Sequence, residues 1–150
     1  MKISVIGCGR WGSFHAWHAA KIGHEVVLYG RETSANFKKL SETHGNEYLQ
    51  LPETVRLTTK LFDTVNFAEV IMISIGAQNL RGLLQEIKTL SLDLDGKNFV
   101  LCMKGLERGT GKRLTEVFSE SMDKKNAAVW VGPGHVQDFV QGIPNCMLMA

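Results

Sequence analysis

The stretch that most constrains the fold lies at the start of the chain. Ile3-Ser4-Val5-Ile6 is a short apolar strand that runs straight into Gly7-Cys8-Gly9-Arg10-Trp11-Gly12, and that into a helical pattern. The three glycines of this G-x-G-x-x-G have separate physical reasons. Gly7 permits a tight turn off the strand, and Gly9 removes a side chain where a pyrophosphate approaches the backbone. Gly12 lets the helix pack closely on the sheet. Ala16, Ala19 and Ala20 fall on the same stripe as Gly12, at the spacing a helix face needs against a strand. The helix start offers free N–H groups and its positive dipole end to phosphates. With a strand before it and a helix after it, the motif predicts a dinucleotide site at Gly7, Gly9 and Gly12.

The rest of the chain keeps the same alternation. Gly23 closes the first helix, and Glu25–Tyr29 is a second buried strand. Thr33 or Ser34 caps a helix to about His44, with Phe37 and Leu40 inward. Val55–Thr59 alternates as a half-exposed strand, and a short helical piece near 63–67 precedes the apolar run Ala68–Ile75. Leu80, Leu83, Leu84 and Ile87 mark a helix, and Asn98–Met103 another core strand. A helix is expected over 111–122, strands over 127–131 and 146–150, and a last turn into 136–141. Strands alternating with helices predict an α/β fold, a doubly wound parallel sheet of Rossmann-like build, with 1–150 as one dinucleotide-binding domain.

Length and charge narrow the function. A chain of 150 residues suits a single domain with a proper core. Seventeen basic against fifteen acidic side chains argue for neither nucleic acid nor a membrane surface as partner. No apolar run approaches a bilayer-spanning length, and Met1-Lys2 leads directly into the strand, so a cytoplasmic protein is expected. Cys8, Cys102 and Cys146 have neither disulfide nor zinc spacing, and Cys8 reads as a small residue filling a tight turn. His15 and His18 lack a third ligand and read as packed or solvated helix residues, so no metal is expected.

In such sheets ligands bind beyond the carboxyl ends of the strands. Lys104 follows a buried strand and precedes a glycine, which aims an ammonium into the crevice beside the cofactor. There it would meet a phosphate or a polarised carbonyl. The second strand ends Tyr29-Gly30-Arg31-Glu32. Arg31 offers a guanidinium for a 2′-phosphate or for adenine stacking, whereas Glu32 could hold a ribose hydroxyl; NADP is favoured over NAD. Trp130, Met147 and Met149 read as core.

These segments together resemble the amino-terminal domain of the NAD(P)-dependent glycerol-3-phosphate dehydrogenases. The resemblance rests on Gly7–Gly12, on Tyr48-Leu49 with Pro52, and on Glu69-Val70 with Ser74-Ile75-Gly76-Ala77-Gln78. It extends through Met103-Lys104-Gly105-Leu106-Glu107, Gly132-Pro133, Asp138-Phe139-Val140 and Gly142-Ile143-Pro144. It implies reduction of dihydroxyacetone phosphate to sn-glycerol 3-phosphate, a glycerophospholipid precursor, by NADH or NADPH. It also implies that Arg10 and Trp11 line the pyrophosphate turn, and that Arg31 and Tyr48 lie near the adenosine half. Lys104 would touch both cofactor and substrate, Gly132 and Gly134 would border the substrate, and Val136 would lie near the nicotinamide. The family's Gly-Pro-Ser-Phe-Ala is here Gly132-Pro133-Gly134-His135-Val136, which loses a hydroxyl. The family's general-base lysine belongs to a helical second domain that this sequence lacks. A fragment of a two-domain enzyme, inactive alone, is therefore expected, with a homo-oligomer through that second domain left open. Two other readings stand beside it: a non-catalytic dinucleotide-sensing module, and a related dehydrogenase acting on another small acid or ketone.

Overall fold

The computed structural model describes residues 1–123 and 127–150. Its elements are β1 Lys2–Ile6, α1 Arg10–Lys21, β2 Glu25–Tyr29, α2 Ala35–Thr43, β3 Arg56–Thr58, α3 Leu61–Phe67 and β4 Val70–Ile73. A 3-10 turn at Ala77–Asn79 then leads into α4 Leu80–Thr89, β5 Asn98–Leu101, α5 Leu114–Ser121, β6 Ala127–Val131, α6 Val136–Val140 and β7 Leu148–Met149. The strands form one sheet in the order β3-β2-β1-β4-β5-β6-β7. The first six are parallel, and β7 runs antiparallel to β6. The chain's first strand therefore lies in the middle, with β2 on one side and β4 on the other. That is where the strand order reverses direction and where a crevice opens.

Strand alternation builds the two cores. On β1, Ile3 and Val5 join a cluster with Phe14, Ala16 and Ala19 of α1 and Phe37 and Leu40 of α2. Ile6 of β1, Ile71 and Ile73 of β4 and Phe99 and Leu101 of β5 turn the other way, against α3, α4 and α5. Both faces are covered, which is why these strands are almost uniformly apolar. Helix ends follow local chemistry. At the end of α1 the His24 N–H donates to Ala19 O and the Gly23 N–H to Ala20 O, with Gly23 at φ +90°. This is a Schellman closure that a β-carbon would strain. Of the two candidate caps, Ser34 starts α2, its Oγ accepting the Phe37 N–H at 3.4 Å.

Three expectations need correction. The helix expected from 111 begins only at Leu114. Gly109 and Gly111 adopt φ +82° and +69°, and the Glu107 N–H donates to Lys112 O, so this stretch is a closed loop. The last strand shrinks to two residues and reverses direction, so the sheet is not wholly parallel. Met149 is not core but 59% exposed, because β7 lies at the sheet's rim. Trp130 and Met147 are only half-buried and face a cavity. Among the described residues, no helix is long and apolar enough to cross a membrane.

Candidate functional site

The glycine turn sits at the carboxyl end of the central strand, and its geometry explains each glycine. Gly7 adopts φ +114°, and a β-carbon there would lie 2.2 Å from the Ser74 carbonyl oxygen. At Gly12 a β-carbon would lie 1.7 Å from the Gly7 carbonyl oxygen, so α1 starts in backbone contact with the turn it follows. Gly9 differs. A β-carbon there would meet nothing within 4 Å, so the bare backbone faces open space. Gly9 is also the N-cap of α1 and makes no side-chain cap bond. The first turn of the helix thus keeps donors directed at that space, which suits a pyrophosphate.

Two hollows of about 400 Å³ each flank this point and share Gly9, Ser74, Ile75 and Gly76 as a common wall. The first, on the β2 side, is lined by Cys8, Tyr29, Gly30, Arg31, Ser34 and Asn36. The Arg31 guanidinium pairs with Glu86 of α4 at 3.0 Å. Glu32, the other expected ribose partner, is exposed and does not line this hollow. Cys8 is buried, and burial raises its thiol above the ordinary value; a β-carbon on Gly30 would sit 2.7 Å from its sulfur. It fills the turn, as expected.

The second hollow, on the β5–β6 side, is lined by Arg10, Trp11, His15, Cys102, Lys104 and Trp130, among others. The Lys104 Nζ donates to Gly132 O at 2.7 Å, tying the loop after β5 to the loop after β6. Burial pushes the Cys102 thiol up to about 12. His15, on α1, packs against Trp130 with ring centroids 4.7 Å apart and the planes tilted at 42°. Gly134 is buried, and a β-carbon there would press on the Phe139 ring at 2.5 Å. Val136 is 1% exposed and packs in the α1-side core, lining neither hollow. Outside the turn, the Arg10 guanidinium covers the Tyr48 ring at 4.3 Å and donates to its hydroxyl. Among the described residues, no group of three or more His, Cys, Asp or Glu is placed to hold a metal.

What holds Lys104 in place was not legible from the sequence. The Gln78 side chain donates to Leu106 O at 2.9 Å and accepts from the Arg108 N–H at 2.8 Å, fastening the loop as a neighbouring strand would. Arg81 grips Glu107 with two bonds of 2.7 and 2.8 Å and reaches Glu120 at 3.0 Å. A fork of this kind is stronger and more directional than a single ion pair. Arg81, then Thr110, hold the Glu107 carboxyl down at about 2. Its contribution is therefore complete above the ordinary value of 4.5 and is lost as pH falls toward 2. Glu107→Gln is expected to abolish that acid dependence and to speed amide exchange of residues 104–113 at neutral pH. Hydrogen exchange at pH 7 and pH 3 checks both.

The strand order, the central crevice and the exposed backbone at Gly9 define the class of dinucleotide-binding α/β domains. Residues 2–150 match the family described as NAD-dependent glycerol-3-phosphate dehydrogenase N-terminus, and the chain belongs to that family. A glycerol-3-phosphate dehydrogenase (NAD(P)+) of Thermoanaerobacter sp. strain X514 is 31% identical over all of this chain and 45% of its own length. One from Parvibaculum lavamentivorans is 33% identical over 99% of this chain and 45% of its own. The chain thus spans about half the length of the curated relatives it matches. In fold it resembles the crystal structure of glycerol-3-phosphate dehydrogenase from Coxiella burnetii, with TM-score 0.87 and 23% identity over 99% of this chain and 46% of that one.

Proposed function

We propose that the chain is the NAD(P)H-binding domain of an oxidoreductase interconverting dihydroxyacetone phosphate and sn-glycerol 3-phosphate. The observation that carries this reading is the Lys104 ammonium, held at 2.7 Å from Gly132 O in the hollow that shares the Gly9 wall. The bound nicotinamide nucleotide supplies the hydride. Gly9 and the first turn of α1 hold the pyrophosphate, with Arg10 and Trp11 beside it. Arg31 and Tyr48 serve the adenosine half, and Arg31 favours a 2′-phosphate. Lys104 turns from Gly132 O to the substrate, where its charge stabilises the negative oxygen that develops at the carbonyl. Gly132 and Gly134 border the substrate, and Val136 backs the nicotinamide end from the core. The resemblance assigns proton transfer to a lysine of a helical second domain, so these residues alone bind and orient.

Titration tests the reading. NADPH is expected to quench Trp11 and Trp130 fluorescence in the 150-residue chain, and dihydroxyacetone phosphate to tighten that binding. Lys104→Ala is expected to keep the quenching and lose the response to substrate, while turnover by the chain alone stays negligible. A chain that binds no nicotinamide nucleotide would end the proposal. Indifference of the wild type to dihydroxyacetone phosphate would end its substrate assignment.

A further inference from the structure

In NAD-binding sites of this build, an acidic residue at the end of the second strand accepts the adenosine ribose 2′-hydroxyl. Here β2 ends in Tyr29, and Gly30-Arg31 follow. A carboxylate nevertheless reaches that corner from elsewhere. Glu86 lies on α4, 55 residues after Arg31, and its Oε1 sits 3.0 Å from the guanidinium. Leu83, one helical turn before Glu86, lines the β2-side hollow, which puts Glu86 at its rim on the same side of the helix. Arg31 itself lines the hollow, and the pair is half or more exposed at 61% and 50%. The Tyr29 hydroxyl senses both charges. Burial raises its ordinary value first, Glu86 raises it further, and Arg31 opposes them.

We propose that Glu86 is the residue that discriminates between the two nicotinamide dinucleotides, by holding the Arg31 guanidinium that a 2′-phosphate requires. The inference rests on the dinucleotide reading above and refines its cofactor choice. A nucleotide with a free 2′-hydroxyl binds with the Arg31–Glu86 ion pair intact. A nucleotide with a 2′-phosphate must take Arg31 from Glu86 and then leave two negative groups facing each other. Exposed ion pairs are weak, so the exchange is permitted but costs affinity. Arg31 alone would argue for NADP(H); the pair moves the balance toward NAD(H).

Calorimetric titration of the 150-residue chain with NADH and NADPH, in wild type, Glu86→Gln, Arg31→Ala and the double variant, tests this. Glu86→Gln is expected to tighten NADPH about fivefold to tenfold, the scale of one charge interaction at a wet rim, and to leave NADH within about threefold. In the Arg31→Ala background the same change is expected to tighten NADPH by clearly less than in the wild type, because no guanidinium is left to release and only the repulsion between the two negative groups is relieved. Equal effects on both nucleotides, no effect on either, or an undiminished gain without Arg31 would overturn the assignment. Binding of neither nucleotide by the wild type would overturn the dinucleotide reading itself, which is a separate result. Both residues are exposed, and matched thermal melts exclude a folding effect.

Discussion

Gly9→Ala is expected to fold as well as the wild type and to weaken dinucleotide binding about a hundredfold or more, whereas Gly12→Ala is expected to cripple folding. The two substitutions add the same methyl group three residues apart, so chemistry alone does not separate them. Geometry does. Gly9 has φ −77° and ψ −170°, extended backbone that alanine adopts freely, and its β-carbon would meet nothing within 4 Å. Alanine is a poorer N-cap than glycine by roughly 0.5–1 kcal/mol, and it narrows the unfolded ensemble by about 0.4–1 kcal/mol, so the two effects nearly cancel. The melting temperature should therefore stay within about 2 °C, since 1 kcal/mol moves a domain of this size by only a few degrees. The methyl group does occupy the open space in which we propose the pyrophosphate lies, and about 2.7 kcal/mol of lost contact corresponds to a hundredfold in affinity.

At Gly12 the β-carbon would lie 1.7 Å from the Gly7 carbonyl oxygen. Gly7 cannot yield, because it is held at φ +114° against Ser74, the residue just after β4. A forced backbone shift at the centre of the sheet costs about 3 kcal/mol or more. Thermal melts paired with NADH calorimetry check both variants. A drop in melting temperature for Gly9→Ala matching that for Gly12→Ala would refute the view of Gly9 as open backbone.

Acid should weaken the domain through His15. Its side chain is 2% exposed, and its Nδ1 is buried without a hydrogen-bond partner. Burial first, then the nearby charge of His18, lower it from 6.5 to about 4. The unfolded chain therefore binds a proton between these values that the folded chain refuses. Stability is full above pH 6.5 and falls as pH drops toward 4. At roughly 1.4 kcal/mol per tenfold change in proton affinity, the loss is about 3 kcal/mol. His15→Leu is expected to flatten that slope, and to raise stability at pH 7 by about 1 kcal/mol by removing the unpaired nitrogen. Urea unfolding at pH 7, 5.5 and 4 measures both; an unchanged slope in His15→Leu would refute the assignment.

The parts of the molecule legible in the sequence are those encoded by neighbours along the chain. The Gly7–Gly12 turn, the Gly23 closure and the apolar runs of β4 and β5 each depend on a few adjacent residues, and each appears where expected. The illegible parts depend on distant partners. Gln78 meets its loop 28 and 30 residues away, and Arg81 meets Glu107 at a separation of 26. No spacing rule announces such pairs. His15 stayed ambiguous because α1 carries aromatic or imidazole rings at Trp11, Phe14, His15, Trp17 and His18, which leaves no clean polar face. The reversal of β7 was hidden because two residues between loops carry no mark of direction.

The central place of the first strand has a kinetic consequence. Lys2 meets Glu69 across 67 residues, so β1 finds its second neighbour only after nearly half the chain is present. Parallel pairings with such long closures form slowly. A chain emerging amino end first must keep Ile3, Val5 and Ile6 unpaired on one side until β4 arrives, and the Gly7 turn, walled by Ser74, cannot close before then.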